Sequence, residues 1–313
     1  MSDFSTLAGN ATKITARGFG WTHAGRKQPA LADIDLVIEP GERVLLCGDS
    51  GSGKSTLLAA MAGVLGSDEE GTRTGEILLE DSTGLVEEPG HTIPVGLVLQ
   101  DPDSQVISAR VGDDIAFGCE NLAYPREEIW RRVTAAKELV GPFVDLDFPT
   151  ERLSGGQKQR LALAGVIAMG AGAVLLDEPT ANLDPAGARD VVRAVSRLVE
   201  ETGATLVVVE HQHAAWDGVL DRAVELDRGR IVADTSFAEV AQRRQVSGLP
   251  QARRLSEAEL AQRDAALWST DLVTRYGPPR TIALPAGAST VITGPNGAGK
   301  STWLMTMAGL LPA

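Results

Sequence analysis

The stretch Gly48-Asp49-Ser50-Gly51-Ser52-Gly53-Lys54-Ser55-Thr56 decides how this sequence is read. Gly48, Gly53, Lys54 and Ser55 fit the spacing G-x-x-x-x-G-K-[ST]. Glycines let a backbone curl tightly and approach a phosphate. The N–H groups of such a loop, and of a helix that follows it, bind anions. Lys54 then reaches toward β- and γ-phosphates, and the Ser55 hydroxyl can ligate Mg2+. The surroundings agree. Arg43-Val44-Leu45-Leu46-Cys47 upstream is an apolar, strand-like run, and a helix-like segment runs downstream to Met61-Ala62-Gly63.

The same module starts a second time. Gly294-Pro295-Asn296-Gly297-Ala298-Gly299-Lys300-Ser301-Thr302 again follows an apolar run, residues 289–293, and again leads toward Met307-Ala308-Gly309. Gly294, Gly297, Gly299, Lys300, Ser301 and Thr302 are therefore a second candidate phosphate loop. The stretch between the copies, about residues 241–263, is rich in Gln, Arg, Ala and Glu and reads as a linker with some helix. The expected organisation is one whole domain over 1–240, a linker over 241–265, and the opening of a second, incomplete domain over 266–313. The second copy reaches Ala313 just after its first helix, which implies a partial chain.

Composition frames this reading. The chain has 313 residues, 43% hydrophobic and 23% charged, ordinary for a globular protein. Its net charge of −13 argues against broad nucleic-acid binding, which needs clustered Lys and Arg. Cys47 and Cys119 fit no metal spacing and read as small buried hydrophobes. The first ten residues are polar, so no secretory leader is expected. Residues 161–176 form an uncharged run holding three glycines, shorter than the roughly 20 apolar residues of a membrane-spanning helix. They read as a buried helix, a turn and a strand. Any membrane link would then pass through a partner.

Within the first copy, residues 31–39 alternate apolar and polar as a half-buried strand does. Residues 76–80 and 96–100 also read as strands, and 127–140 has helical spacing. Residues 174–176 and 206–209 are short apolar runs of buried strands. Strands alternating with helices predict an α/β fold with a largely parallel sheet.

Further along, Asp177-Glu178 closes the apolar run Val174-Leu175-Leu176. Asp177 is placed to hold Mg2+ through water and Glu178 to polarise an attacking water. Without the glycine-rich loop this would be a strand ending in a solvated acidic pair. Leu153-Ser154-Gly155-Gly156-Gln157 precedes a helix-like run, a second anion-binding arrangement of capping Ser and glycines. His211 follows an apolar strand directly. His213 and His91 read as having no catalytic part.

In order, the chain carries the loop at Gly48, a Gln-centred segment at Gln100, Ser154-Gly155-Gly156-Gln157 followed by Lys158-Gln159-Arg160, Asp177-Glu178, a loop ending at Asp184, and His211. This order resembles the ABC transporter ATPases and covers nearly all of residues 10–240. The resemblance implies a P-loop NTPase core with an antiparallel β subdomain and an α-helical subdomain. It implies ATP and Mg2+ as ligands, with ATP held between the phosphate loop of one cassette and the Ser154-type signature of another. It implies that Gln100 senses the γ-phosphate and contacts a transmembrane partner, that Ser55, Gln100 and Asp177 hold Mg2+, that Asp184 bridges a dimer interface, and that His211 contacts the γ-phosphate. The family stacks adenine on an aromatic upstream of the first strand pair. Here that position aligns with His23, with Trp21 two residues earlier, and either is the candidate.

Gln100-Asp101-Pro102-Asp103-Ser104-Gln105 is similar to the corresponding loop of the energy-coupling factor (ECF) transporter ATPases, including the cobalt-type subgroup. Val111-Gly112-Asp113-Asp114-Ile115-Ala116-Phe117-Gly118, Glu120-Asn121-Leu122 and Pro125-Arg126-Glu127-Glu128 are similar to the same group. That resemblance implies a peripheral ATPase on the cytoplasmic side of the cell membrane. Its partners would be a transmembrane coupling subunit, a substrate-binding membrane subunit and a second ATPase cassette, and its role the uptake of a vitamin, vitamin precursor or metal ion. Two competing readings are a conventional ABC transporter ATPase and a soluble tandem ABC protein acting on ribosomes or DNA. With only the start of a second copy present, the chain is expected to bind ATP at the first loop and to hydrolyse it poorly unless two chains pair.

Overall fold

A computed structural model of the chain describes residues 7, 11–66, 69–141, 144–181, 183–246, 255–274, 278–294 and 298–312. From the N-terminus the elements are β1 (Lys13–His23), β2 (Leu31–Ile38), β3 (Arg43–Cys47), α1 (Lys54–Met61), β4 (Gly71–Glu80), β5 (Val86–Glu87) and β6 (Val95–Val98). There follow α2 (Val111–Asn121), α3 (Arg126–Leu139), α4 (Gly155–Met169), β7 (Ala173–Asp177), α5 (Pro185–Thr202), β8 (Thr205–Val209), β9 (Arg222–Asp227), β10 (Arg230–Ser236) and α6 (Phe237–Val246). The last elements are α7 (Glu257–Ala261), β11 (Ala265–Leu272), β12 (Arg280–Pro285) and α8 (Lys300–Met307). The chain divides into two units, one formed by Met1–Leu183 and Gly187–Val246, the other containing Ser247–Ala313.

The apolar runs of the first unit become the centre of a six-stranded sheet in the order β10-β9-β3-β8-β7-β6. Every neighbouring pair from β9 to β6 is parallel, and only β10 is antiparallel. These strands are apolar throughout because both faces are covered. Leu45 and Cys47 enter one core with α2 to α5, while Val44 and Leu46 enter a second core with α1 and the antiparallel sheet. That second sheet has the order β2-β1-β4-β5. In β2 the expected alternation holds: Leu31, Ile34, Leu36 and Ile38 are buried, and Asp33 and Asp35 are exposed. α2 and α3 pack on α4 as a helical layer, where Arg132 ion-pairs with Glu128 and lies 4.5 Å over the Tyr124 ring. The fold is thus α/β, a P-loop core with an antiparallel β subdomain.

Residues 161–176 resolve as expected into the end of α4, a turn at Gly170 (φ 74°) and β7. Both cysteines are buried, and burial pushes the Cys119 thiol up to about 11. Among the described residues no helix is long and apolar enough to cross a membrane.

In the second unit β11 and β12 pair antiparallel. Residues 289–293, read from sequence as a strand, form none, and Val291 is 81% exposed. The reason is physical. β3, the corresponding run of the first unit, is held by β8 on one side and β9 on the other, whereas among the described residues no strand pairs with 289–293, whose ladder hydrogen bonds are left to water.

Candidate nucleotide site

The parallel sheet decides where the site lies. In such sheets ligands bind beyond the carboxyl ends of the strands. Four neighbours in the order β3-β8-β7-β6 deliver, at those ends, the loop 48–53, His211, Asp177-Glu178 and Gln100. Residues spread over more than 150 positions meet because strand order, not sequence order, sets adjacency.

The first loop has the backbone that its glycines foretell. Gly48 has φ 139°, Gly51 80° and Gly53 106°. A Cβ on Gly48 would lie 2.1 Å from the Leu226 carbonyl oxygen, and one on Gly53 would lie 2.7 Å from that of Ala30. Gly53 caps α1, whose first residue is Lys54. Lys54 is buried, and its Nζ donates to the carbonyls of Gly48 and Asp49, both at 2.9 Å. Ser52 Oγ is buried with no hydrogen-bond partner among the described residues. A cradle of close-packed glycines, a buried lysine and an orphaned hydroxyl fits a phosphate chain. Asp49, Ser50 and Gly51 are exposed at the loop's tip, and Ser55 and Thr56 lie in the first turn of α1.

The Ser55 hydroxyl hydrogen-bonds Asp177, the last residue of β7. Burial raises the Asp177 carboxyl above its ordinary range. The Ser55 hydrogen bond, Lys54 and His211 oppose that rise, and Glu178 adds to it. A divalent cation would restore the ionised form, so the donor set suits Mg2+. Among the described residues no group of three His, Cys, Asp or Glu could hold a metal alone. A cation at Ser55 and Asp177 would complete its shell with phosphate oxygens and water.

Glu178 is held from two directions. Gln100 Nε2 donates to its Oε2 at 3.0 Å, and His211 Nε2 lies 3.0 Å from its Oε1, a contact that requires the proton on Nε2. Its backbone is left-handed, φ 47°, and its N–H donates to the Val209 carbonyl at 2.9 Å. Gln100 stands in a turn after β6, not in the strand read over 96–100.

Other sequence candidates lie elsewhere. Ser154 caps α4 in a reciprocal box: its backbone N–H donates to Gln157 Oε1 at 2.8 Å, and the Gln157 N–H donates back to Ser154 Oγ at 3.4 Å. Positions that a Cβ would take on Gly155 and Gly156 approach Leu183. Among the described residues, the hydrogen bonds of Ser154 and Gln157 stay within this helix start, apart from the Glu178 cluster. Asp184 is half-buried directly before α5. Trp21 needs correcting as an adenine platform. It is 4% exposed within the core of the antiparallel sheet, its ring fills the space a Cβ on Gly71 would need, and its Nε1 donates to His23 Nδ1 at 3.1 Å. His23 is exposed, its ring T-shaped against that of Trp21 with centroids 6.0 Å apart. His213 is buried, its Nε2 3.0 Å from the Glu210 carbonyl. In the second unit Gly294 has φ 152°, Gly299 caps α8, and Lys300 Nζ donates to the Gly294 carbonyl at 2.8 Å. Arg280, Thr293, Gly299, Lys300, Thr302 and Trp303 line a cavity of about 430 Å3 there. Ser301 is exposed, and Gly297 lies outside the described residues.

Residues 31–181 match the family model described as ABC transporter. The chain is also 40% identical over 216 residues to the energy-coupling factor transporter ATP-binding protein EcfA1 of Caldanaerobacter subterraneus subsp. tengcongensis, covering 69% of this chain and 76% of that protein. This chain belongs to the ABC transporter ATP-binding proteins. The cassette is 39% identical over 224 residues to an ABC transporter ATP-binding protein of Methanosarcina acetivorans, covering 71% of this chain but 35% of that one. It therefore spans about a third of that relative's length. The solved structure of cbiO1 from Clostridium perfringens, described as part of the ABC transporter complex cbiONQ, superposes with a TM-score of 0.63 at 30% identity. It covers 74% of this chain and 92% of that one.

Sequence reasoning missed Glu210 and Thr180. The Glu210 carboxylate accepts from the Thr180 hydroxyl and from the backbone N–H groups of His211 (2.7 Å) and Gln212 (3.1 Å). The available signal was an acidic residue ending the apolar run of β8, one position before His211.

Proposed function

We propose that this cassette binds MgATP at residues 48–56 and hydrolyses it, with Glu178 as the residue that polarises the attacking water. The observation that carries the reading is the convergence of Gln100 and His211 on the two oxygens of Glu178, beside the Lys54–Ser55–Asp177 group. The loop N–H groups and Lys54 cradle the phosphates, Lys54 exchanging its loop carbonyls for phosphate oxygens. Ser55 and Asp177, with Gln100, hold the cation. Mg2+ there neutralises charge on the β- and γ-phosphate oxygens. A carboxylate offers about four acceptor positions, so Glu178 keeps room for a water beside its two present partners. His211, through Nε2, shifts from Glu178 to the γ-phosphate. His23 offers its ring to adenine.

The signature at Ser154 serves the ATP of another cassette, and Asp184 lies at that interface. We read residues 1–240 as one cassette, 241–265 as linker and 266–313 as the opening of a second, whose loop at Gly294 and Lys300 is a further phosphate site. The likeness to EcfA1 and cbiO1 and the Gln100 to Gln105 segment support an ECF-type importer ATPase. Such a subunit sits peripherally on the cytoplasmic side, works with a transmembrane coupling subunit and a substrate-binding membrane subunit, and energises uptake of a vitamin, vitamin precursor or metal ion.

Two experiments test this. Glu178→Gln is expected to keep ATP binding, measured by titration calorimetry, and to lose turnover by on the order of 10²-fold or more; unchanged turnover would remove Glu178 from its role. Affinity capture from solubilised membranes is expected to bring down a multi-span coupling protein with a small membrane subunit. Capture of ribosomes alone would favour the soluble reading.

A further inference from the structure

We infer that Glu210 is a positioning residue for hydrolysis, a buried carboxylate that fixes Glu178 and His211 relative to one another; this rests on the ATPase reading above. Glu210 is 4% exposed. A carboxylate so placed is unfavourable unless its lone pairs are used. Among the described residues its partners are one hydroxyl and two backbone amides, and no Lys or Arg stands among them.

Those partners come from two chain segments. Thr180 lies two residues beyond Glu178, in the turn where the Ala181 N–H donates to the Glu178 carbonyl at 3.0 Å. It is itself buried, and its hydroxyl donates to Glu210 Oε2. The amides of His211 and Gln212 both donate to Glu210 Oε1. One side chain thus clamps the segment bearing Glu178 to the segment bearing His211, the two residues whose Oε1 and Nε2 meet at 3.0 Å. The Glu210 carbonyl adds a third tie, to the buried His213.

The clamp answers a strain. Glu178 holds a left-handed backbone, φ 47°, that a non-glycine residue keeps only where its surroundings over-determine it. The Glu178 N–H to Val209 contact fixes one side of that residue, and the Thr180–Glu210 link fixes the other. Without Glu210 the residue can relax, and its carboxylate leaves the His211 imidazole. Among the described residues the phosphate cradle at Lys54 shares no hydrogen bond with this clamp, so binding survives while the chemical step slows.

The test compares Glu210→Ala, Glu210→Gln and Thr180→Val in the full chain, reading kcat, KM and the affinity for ATP with Mg2+. Small displacements of reacting groups slow catalysis by up to about 10²-fold. Glu210→Ala is therefore expected to lower kcat by about tenfold to a hundredfold, with KM and affinity nearly unchanged. Gln accepts from both amides through Oε1 and donates to the Thr180 hydroxyl through Nε2, so Glu210→Gln should restore most of kcat. Thr180→Val should fall between, and it decides the matter if Glu210→Ala does not fold. Unchanged kcat in both Glu210→Ala and Thr180→Val would overturn the role, as would affinity falling in step with kcat, or Glu210→Gln failing as completely as Glu210→Ala. A wild-type chain without turnover even at concentrations where chains associate would instead overturn the ATPase reading, and this role with it.

Discussion

Asp177 is under opposing demands: the fold half-buries it, and the cation-holding role proposed for it needs it ionised. Burial is the largest influence and raises its carboxyl above the ordinary 3.8. A group whose folded pKa lies above its unfolded one favours the folded state fully only below the unfolded value, and that contribution is lost as pH rises through the folded value. Asp177→Asn removes the loss. At neutral pH without nucleotide the variant should melt a few degrees above wild type, with the gap closing as pH falls toward 4. MgATP should stabilise wild type but not the variant, and turnover should drop by on the order of 10²-fold. Calorimetric melting at several pH values checks the first part. Cys119 gives a simpler expectation: with its thiol at about 11 and its side chain enclosed, it should resist alkylation until the chain unfolds. At this scale the sequence was most legible where spacing along the chain sets the geometry, as where Lys54 folds back on the loop carbonyls and Ser55 meets Asp177. Glu210 was opaque because its significance lies in Thr180, thirty positions away, which no local pattern ties to it.

Elements were legible where periodicity and burial agree. Residues 127–140 and 31–39 became α3 and β2 within a residue or two at their ends. Residues 289–293 failed for the converse reason: their β-branched composition suits a strand, but a strand also needs neighbours to pair with. Trp21 failed similarly, since an aromatic in an alternating strand has two faces to choose from, and β1 turns it inward. Truncating it to Ala should therefore lower stability by about 3–5 kcal/mol, seen as a reduced urea midpoint, whereas His23→Ala should leave stability alone and weaken ATP binding. The sharpest element-level constraint is the β3–α1 loop. Gly48→Ala would force a Cβ against the Leu226 carbonyl from a backbone at φ 139°, and a loss of about 1–3 kcal/mol together with nucleotide binding is expected.

Across the whole molecule, the signature at Ser154 has its hydrogen bonds within its own helix start, and Glu178, His211 and Gln100 gather around a different loop. On the proposed reading, such a site is completed by another cassette. Specific ATPase activity should thus rise with protein concentration and reach a plateau as chains associate. Activity per molecule that stays constant down to a demonstrated monomer, by light scattering, would contradict it. The arrangement of the first sheet also bears on how the protein comes to exist. The strand carrying the phosphate loop leaves the ribosome early, yet both strands that flank it, β8 and β9, are made much later, Arg43 meeting Asp221 across 178 positions. Contacts of that span form slowly, and domains mature as units behind the exit tunnel. Synthesis therefore withholds the completed cradle at residues 48–53 until the chain past Leu226 has emerged, and on the proposed reading the first ATP meets a pocket to which Glu178 and His211 have already been delivered.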